Sequence, residues 1–258
     1  MTRNDSTPFT FHRSLKLIPY SRVYLYYPVM EKVRLVFEKQ LLHLLGLGIL
    51  LYLFPLAGKL EGFREGDALG ISTRTWLYIG LGNTIAHQVY VWFCWRTELH
   101  TKLLTRFLGK TAFRTYAAGF TVLIFLRPVL ITFLAFANRQ TIPANRYIMM
   151  VVAATLLLPA ACLGYSIMKY FSFTRAFGID HFDESYRSMP LVRQGIFQFT
   201  PNAMYVFGFA LLWAPAVFFS SVAALTFALF SHLYIWVHYF CTERPDMERI
   251  YGKNDSNK

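Results

Sequence analysis

The sequence predicts an all-α polytopic membrane helical bundle with about five to six spans, the last two forming a helical hairpin. Of its 258 residues, 55% are hydrophobic and only 16% are charged, a balance that ordinary soluble domains do not have. Several stretches of about 20 residues, enough to cross a bilayer as a helix, carry no charge or a single one. Segments that alternate apolar and polar residues are missing from the sequence, which argues against a membrane β-barrel. Helices are then the remaining way to satisfy the hydrogen-bonding groups of the backbone in lipid.

The first elements follow in order along the chain. Residues 1–40 predict an N-terminal surface segment, with an amphipathic lead-in helix over 23–40. No cleavable secretory signal is evident, so we expect the first span to be an uncleaved anchor. Four transmembrane helices are predicted within 41–168. Their apolar cores lie at 41–57, 75–95, 116–137 and 147–168.

The C-terminal part, 169–258, is predicted to hold a cytoplasmic connector, a hairpin and a tail. Residues 194–242 include no Asp, Glu, Lys or Arg. The most apolar part, 203–240, is too long for one span and long enough for two short arms. Candidate turn residues lie near its middle: Ala214, Pro215, Ser220 and Ser221. Such a hairpin would return the tail to the side of the connector.

Basic residues are distributed unevenly between the two predicted faces. If the hairpin returns to its own side, the face with both termini holds 20 of the 26 Lys and Arg residues. The positive-inside rule predicts that this face is cytoplasmic, at the endoplasmic reticulum in a eukaryote or the inner membrane in a bacterium. The net charge of +12 then indicates contact with an anionic membrane leaflet. No nucleic-acid partner is expected, because the basic residues flank spans and form no aromatic-interleaved patch.

Three cysteines, Cys94, Cys162 and Cys241, lie in or beside the predicted spans. Their spacing is not paired, which excludes a disulfide framework or a CxxC metal site. We expect packing roles for them and no metal.

The connector carries an acidic cluster close to the predicted membrane surface. Asp180, His181, Asp183 and Glu184 lie within five residues of one another on the basic face. One interpretation is a site that attracts a substrate amine or takes its proton, with Asp180 as a substrate-binding residue. The other is a solvated loop whose acids pair with neighbouring arginines: Arg175, Arg187 and Arg193.

Two short motifs flank the charge-free hairpin. The chain reads ProAsnAlaMetTyrValPheGly over 201–208 and ThrGluArgProAspMet over 242–247. The first resembles the Asn/His, Pro, Met, Tyr, Gly signature of the phospholipid methyltransferase family, and the second resembles the family's GluGluPro element. Tyr205 and Glu243 are 38 residues apart, close to the separation in that family. The resemblance covers residues 160–252 and is nearest to the phosphatidylethanolamine N-methyltransferases.

The resemblance implies an S-adenosylmethionine-dependent methyltransferase that acts on a membrane lipid or another membrane-embedded acceptor, in the first place an amine headgroup. It also implies a cofactor pocket between the hairpin and the tail. Glu243 would pair with the cofactor ammonium, and Tyr205 and Trp236 would hold its sulfonium or adenine. The implied cofactor-binding residues are Asn202, Tyr205, Gly208, Tyr239, Glu243 and Arg244.

Most of these residues also have a structural interpretation. Tyr205 and Trp236 suit interfacial anchors, Asn202 suits a helix cap, and Gly208 suits helix packing. The sequence also departs from the family pattern in that Ala203 replaces Pro.

Two further departures concern charge and glycine content. Arg244 stands where the family has a second Glu, and Gly164 alone represents a GlyXaaGly element. Arg244 would either bind the cofactor carboxylate or a lipid phosphate, or the missing acid would weaken cofactor binding.

Methyl transfer to an amine requires a neutral nitrogen. An ethanolamine nitrogen resembles a Lys amine, whose pKa is about 10.4, so a base is expected to take its proton. His238 is the candidate catalytic base, with His181 or Glu184 behind it. The alternative for His238 is an interfacial histidine at a helix end.

Arg127 is a charge inside a predicted span and precedes Pro128. A basic group at mid-bilayer costs roughly 2.5–3.5 kcal/mol on insertion scales. Two interpretations follow: a substrate-binding residue that grips a lipid phosphate, or a structural residue paired with a carbonyl in a polar cavity.

Several functions stay open at this point. Besides N-methylation, the isoprenylcysteine carboxyl methyltransferases share the C-terminal architecture, so carboxyl methylation of a prenylcysteine-like acceptor is an alternative. A non-catalytic transporter or scaffold of the same fold is another, and a sterol-type reductase is a more distant one. Against transport, the sequence has no inverted repeat and no matched pair of broken spans.

Overall fold

A computed structural model describes residues 29–252 of the chain. The first part of the predicted N-terminal segment, 1–28, and the end of the tail, 253–258, lie outside the described residues. Within 29–252 the chain is almost entirely helical, apart from loops and one antiparallel pair of two-residue strands, β1 (Asp67–Ala68) and β2 (Ile71–Ser72). The all-α prediction is confirmed.

The α-helices follow in chain order. Residues 29–36 form α1. The later helices are α2 (Gln40–Ala57), α3 (Thr73–Thr101), α4 (Leu103–Leu108), α5 (Ala112–Ala137), α6 (Arg146–Ser166), α7 (Phe173–Ala176), α8 (Ala203–Val206), α9 (Ala210–Phe218), α10 (Val222–His238) and α11 (Arg244–Tyr251). Two π-helical turns, Ile167–Phe171 and Tyr239–Glu243, extend α6 and α10.

Four helical segments of the described chain are long and apolar enough to cross a membrane. They are Val29–Ala57, Leu103–Ala137, Arg146–Phe171 and Val222–Tyr251. The α3 helix is also long enough, because its 29 residues extend about 44 Å, beyond a hydrocarbon core of about 30 Å. The α3 helix is more polar than the other spans. It tolerates polar residues because it packs against α5 and α10, and more than half of its residues are buried. Its polar side chains therefore face protein instead of lipid.

The predicted hairpin is present, with its turn later than Ala214 and Pro215. Both of these residues lie inside α9. The chain reverses over 219–221, where Ser220 has a φ of +51° and the Ser221 hydroxyl caps the start of α10. The prediction of a turn at the serine pair is confirmed, whereas the expectation for Ala214 and Pro215 is wrong, because α9 continues past Pro215 to Phe218.

Asn138 joins the loops at one end of the bundle, which we call the far face (residues 58–72, 138–145 and 219–221). Its side-chain amide donates to the carbonyls of Gly62 and Glu65, at 2.7 and 2.9 Å. Its side-chain oxygen accepts from the Ser221 hydroxyl at 2.9 Å. The predicted loops of this face therefore lie together.

The opposite end, which we call the near face, gathers α1, the α3–α5 connection, the connector (169–202) and α11. Arg96, near the end of α3, contacts both Glu38 in the turn after α1 and Asp246 in α11. The two-ended arrangement agrees with the predicted topology. Which end is cytoplasmic stays a prediction.

The apolar core lies between α3, α5 and α10. Phe227, Ile131 and Leu134 are almost completely buried there. Gly80 allows α10 to approach α3, since a Cβ at this position would lie 3.1 Å from the Phe227 ring. The GlyLeuGly sequence over 80–82 thus serves helix packing at its first glycine.

Candidate functional site

The two motifs that flank the hairpin meet at the near face. The Tyr205 hydroxyl in α8 donates a hydrogen bond to the carboxylate of Glu243 in the second π turn. The rings of Tyr205 and Trp236 are 6.0 Å apart, those of Tyr205 and Tyr239 are 5.9 Å apart, and those of Trp236 and Tyr239 are 5.6 Å apart. The hairpin therefore brings an acid against three aromatic rings.

Glu243 is a partly buried acid with no basic partner in the described part of the chain. Of the ion pairs within 4.0 Å that residues 29–252 form, none includes Glu243. Asp246, one helical turn later, contacts both Arg96 and Arg249. The negative charge of Glu243 is thus uncompensated within the described chain, and it would suit a cationic ligand.

Pro245 accounts for the π-helical turn that carries Glu243. Proline has no N–H, and its ring clashes with the carbonyl four residues earlier, here that of Cys241. The helix widens over Tyr239–Glu243, and the extra residue rotates the following side chains by about 100°. The carbonyls of Cys241 and Thr242 instead accept hydrogen bonds from Arg96, at 3.2 and 3.1 Å. This interruption of the α-helix positions Glu243.

Arg96 and Asp246 form a buried ion pair that the sequence analysis missed. Both side chains are 0% exposed, and Arg96 Nε is 2.9 Å from Asp246 Oδ1. Arg96 also donates to the Leu35 carbonyl at 2.7 Å, so one guanidinium holds α1, α3 and α11 together. The available signal was weak: Arg96 is the first charge after an apolar span, and Asp246 lies within the second motif.

His181 belongs to the same buried cluster. Its ring stacks on Trp95 at 4.3 Å, and its Nε2 atom is 3.5 Å from Asp246 Oδ2. Gly178 makes this stacking possible, since its φ is +79° and a Cβ there would lie 2.5 Å from the Trp95 ring. His181 therefore fixes the connector to α3 and α11.

Asp180 lies beside this cluster and is also buried. Its carboxylate accepts a hydrogen bond from the Tyr251 hydroxyl at 2.5 Å. Its second oxygen, Oδ1, has no hydrogen-bond partner among the described residues. Asp180 thus joins the connector to α11 and keeps one oxygen available.

The other two connector acids lie at the surface. Asp183 accepts from the N–H of Ser185 at 2.9 Å and from its hydroxyl at 2.8 Å, and these bonds hold the pKa of Asp183 below its usual range. Glu184 is 72% exposed and lies 3.2 Å from Arg187 and 3.8 Å from Lys102. Glu184 therefore lies outside the buried cluster, and the solvated-loop interpretation describes it better than a role as base.

His238 is a buried histidine with no hydrogen-bond partner among residues 29–252. It is 1% exposed, and neither ring nitrogen has a partner among the described residues. Its ring is 5.5 Å from that of His43 and 6.3 Å from that of Trp95. Because unpaired buried polar atoms are costly, His238 is suited to contact a ligand or water.

The remaining predicted cofactor residues are in different environments. Asn202 precedes α8, and its side chain does not cap that helix. Gly208 packs against α6, where a Cβ would lie 3.1 Å from Leu163. Arg244 is exposed and lies 2.9 Å from Glu248. The Asn202 amide is thus available to a ligand, whereas Gly208 and Arg244 have structural contacts.

Residues 148–254 match a family model described as Phospholipid methyltransferase. This region of the chain is phospholipid methyltransferase-like. The match includes the connector, the hairpin and α11, and therefore both motifs. It indicates a membrane methyltransferase that acts on lipid. No curated protein and no solved structure matches the chain.

Part of the polar cluster comes from outside the phospholipid methyltransferase-like region. Trp95 and Arg96 come from α3, and His43 comes from α2. Gln40, also in α2, donates to the Cys241 carbonyl at 3.4 Å. The N-terminal helices therefore complete the surroundings of the methyltransferase motifs.

Arg127 lies deeper in the bundle, in α5. It is 2% exposed, and its Nη2 atom is 2.8 Å from Nδ1 of His87. Among the described residues its hydrogen-bond partner is thus an imidazole, and the predicted backbone carbonyl is not found.

Proposed function

We propose that the chain is an S-adenosylmethionine-dependent methyltransferase that N-methylates the amine headgroup of a membrane lipid. The observation that carries this proposal is the Glu243 carboxylate, which has no basic partner among the described residues and accepts a hydrogen bond from Tyr205, a member of a cluster of aromatic rings. The family match over the same region supports it.

The chemistry of this group of residues suits the cofactor. When bound, S-adenosylmethionine supplies an electrophilic methyl group on a sulfonium. Glu243 would bind the ammonium, in a partly buried site where a charge-assisted hydrogen bond is strong. Tyr205 and Tyr239 would contact the cationic part through their ring faces, and the Asn202 amide would bind adenine or ribose.

His238 is the residue we propose as the base. A protonated amine must release a proton before its nitrogen lone pair can form the new N–C bond. His238 has two unpartnered ring nitrogens in the buried cluster, so one of them can accept this proton. The enclosed surroundings would hold the acceptor in one orientation, from which most of the acceleration of an in-line transfer is expected.

The charge balance of the near face favours an amine over a carboxylate acceptor. Arg96, the buried cation of that face, already has Asp246 and several carbonyls as partners. Because Glu243 is assigned to the cofactor, the acceptor would meet Asp180, whose Oδ1 atom has no partner among the described residues and would attract an amine. Release of methanol from the product by base would identify a carboxyl ester and contradict the N-methylation proposal.

Transfer of a radiolabelled methyl group to lipid tests the proposal. Purified full-length protein in liposomes would receive labelled S-adenosylmethionine, and S-adenosylhomocysteine binding would be measured by calorimetry. Glu243→Gln keeps the shape and removes the charge, which should weaken binding by about 1.5–3 kcal/mol, or roughly 10- to 150-fold in Kd.

Glu248→Gln is the matched control. Glu248 is an exposed acid of α11 that pairs with Arg244, so its removal should change Kd less than twofold. Equal effects of the two variants would contradict the assignment of Glu243. Absence of S-adenosylhomocysteine binding and of label transfer to lipid would overturn the proposal in favour of a non-catalytic protein of the same fold.

A further inference from the structure

Arg127 is a buried cation for which the described part of the chain offers no counter-ion. None of the ion pairs within 4.0 Å between described residues includes it. Its position is 15 residues into α5, or about 22 Å from the near-face end of that helix. Because removing a guanidinium from water costs several kcal/mol unless it is paired, we expect an anion to bind beside Arg127.

The atoms around Arg127 offer hydrogen-bond donors. Since Arg127 donates to Nδ1 of His87, the proton of the neutral imidazole is on Nε2. That Nε2 atom has no partner within the described chain, and neither does Arg127 Nε.

An anion with several acceptor oxygens complements this set of donors. A phosphate group provides them, and guanidinium and phosphate form strong, directed hydrogen bonds. A carboxylate of the protein does not take this role, because the described acids have other partners or lie at the two faces.

The location also connects Arg127 with the proposed base. Arg127 lies in α5 and His238 is the last residue of α10, and these two helices pack against each other. In an aminoethyl phosphodiester, two carbon atoms separate a phosphate oxygen from the nitrogen. Such a headgroup would bring its phosphate to Arg127 and extend its amine toward α10, whose last residue is His238.

We propose that Arg127 and His87 form a phosphate-binding site inside the bundle, which holds the phosphodiester of a phospholipid headgroup. The inference rests on the proposed function for the role of the lipid amine. Binding of the phosphate itself requires no methyl transfer, so experiments can refute the phosphate site and the proposed methyltransferase function separately.

Thermal stabilisation by ligands tests phosphate binding directly. Purified full-length protein in neutral detergent would be melted with phosphatidylethanolamine, with diacylglycerol of the same chains, and with inorganic phosphate. A ligand that binds the folded state raises Tm, so we expect stabilisation by phosphatidylethanolamine and much less by diacylglycerol. Arg127→Gln should weaken the phospholipid effect about tenfold in apparent Kd. Arg127→Lys, which keeps the charge, should retain part of it.

Arg139→Gln is the matched control. Arg139 follows the end of α5, lies on the surface over the Phe136 ring at 4.6 Å and donates to a backbone carbonyl. Its replacement should leave the phospholipid effect unchanged. Equal stabilisation of wild type, Arg127→Gln and Arg139→Gln would overturn the site. A different outcome is that inorganic phosphate raises Tm as much as phosphatidylethanolamine does, with the effect lost in Arg127→Gln. That result would assign the Arg127 site to free phosphate and overturn the lipid assignment.

Kinetics distinguish a phosphate contact from a merely structural role. Arg127→Gln should raise KM about tenfold for an amine lipid with a phosphate and leave it unchanged for a long-chain alkylamine without one. Arg127→Lys provides the same comparison if the glutamine variant does not fold. Equal losses with both acceptors would overturn the inference. If phospholipid stabilises the protein through Arg127 but no methyl transfer occurs, the proposed function fails and the phosphate site stands.

Discussion

Replacement of Asp246 by alanine is expected to destabilise the near face strongly. The Asp246 and Arg96 side chains are both 0% exposed and 2.9 Å apart. The other acid near Arg96, Glu38, is 33% exposed and 3.4 Å away, so it compensates the buried charge only in part. Removal of one member of a buried ion pair costs about 3–5 kcal/mol. At about 2–4 °C per kcal/mol for a chain of this size, Tm should fall by roughly 6–20 °C.

Thermal melting in detergent, followed by tryptophan fluorescence, measures this change. Arg244→Ala is the control for stability, because the Arg244–Glu248 pair has the same 2.9 Å separation in the same helix but its side chains are 54% and 61% exposed. An exposed pair contributes about 0–1 kcal/mol, so the control should lower Tm by less than about 4 °C.

The comparison of Asp246→Ala with Arg244→Ala tests whether burial makes the Arg96–Asp246 pair important for stability. If Asp246→Ala lowers Tm no more than Arg244→Ala does, burial of the charge is not what makes the pair important, and the reasoning is refuted. The double variant Arg96→Met with Asp246→Leu should recover part of the loss, because no unpaired charge remains. Recovery should be incomplete, since Arg96 also satisfies the carbonyls of Cys241 and Thr242.

Three other predictions concern glycine, asparagine and proline positions. Gly178→Ala should lower stability by about 2–4 kcal/mol, because the new Cβ would lie 2.5 Å from Trp95. Gly70→Ala is the control: Gly70 has a φ of +72° and open space around it, so this change should cost only the backbone strain of about 1–2 kcal/mol. Equal Tm losses would contradict the clash. Asn138→Ala should cost about 2–4 kcal/mol through lost hydrogen bonds and leave S-adenosylhomocysteine binding unchanged by calorimetry; a weakened affinity would show coupling between the faces. Pro245→Ala should favour an α-helical turn and weaken S-adenosylhomocysteine binding with little change in Tm, and an unchanged affinity would contradict the role given to the π turn.

The fold was largely predictable because lipid imposes strong rules on a chain. Uncharged stretches gave the helices α2, α5 and α6 and the hairpin, since charged residues are costly in hydrocarbon. The distribution of basic residues gave the grouping of loops at two ends. The exact turn of the hairpin was less predictable, since Pro215 is compatible with both a turn and a helix of one short arm.

The candidate site was predictable only where a local motif exists. Tyr205 and Glu243 belong to motifs with a characteristic separation, so their proximity could be anticipated. Glu184 and His181 are three residues apart, yet one is exposed and the other is buried. Sequence distance does not determine which side of a connector packs against α3.

The sequence by itself determined the helical membrane architecture, the hairpin and the methyltransferase-like motifs. These features depend on composition, on runs of apolar residues and on short motifs, which act locally along the chain. Only the tertiary structure decided that Arg96 pairs with Asp246, that Glu243 has no basic partner within residues 29–252, and that Arg127 contacts His87. Such pairings join residues that are far apart in sequence. The free energy of burying each charge depends on whether it is paired, and a local sequence pattern does not show this.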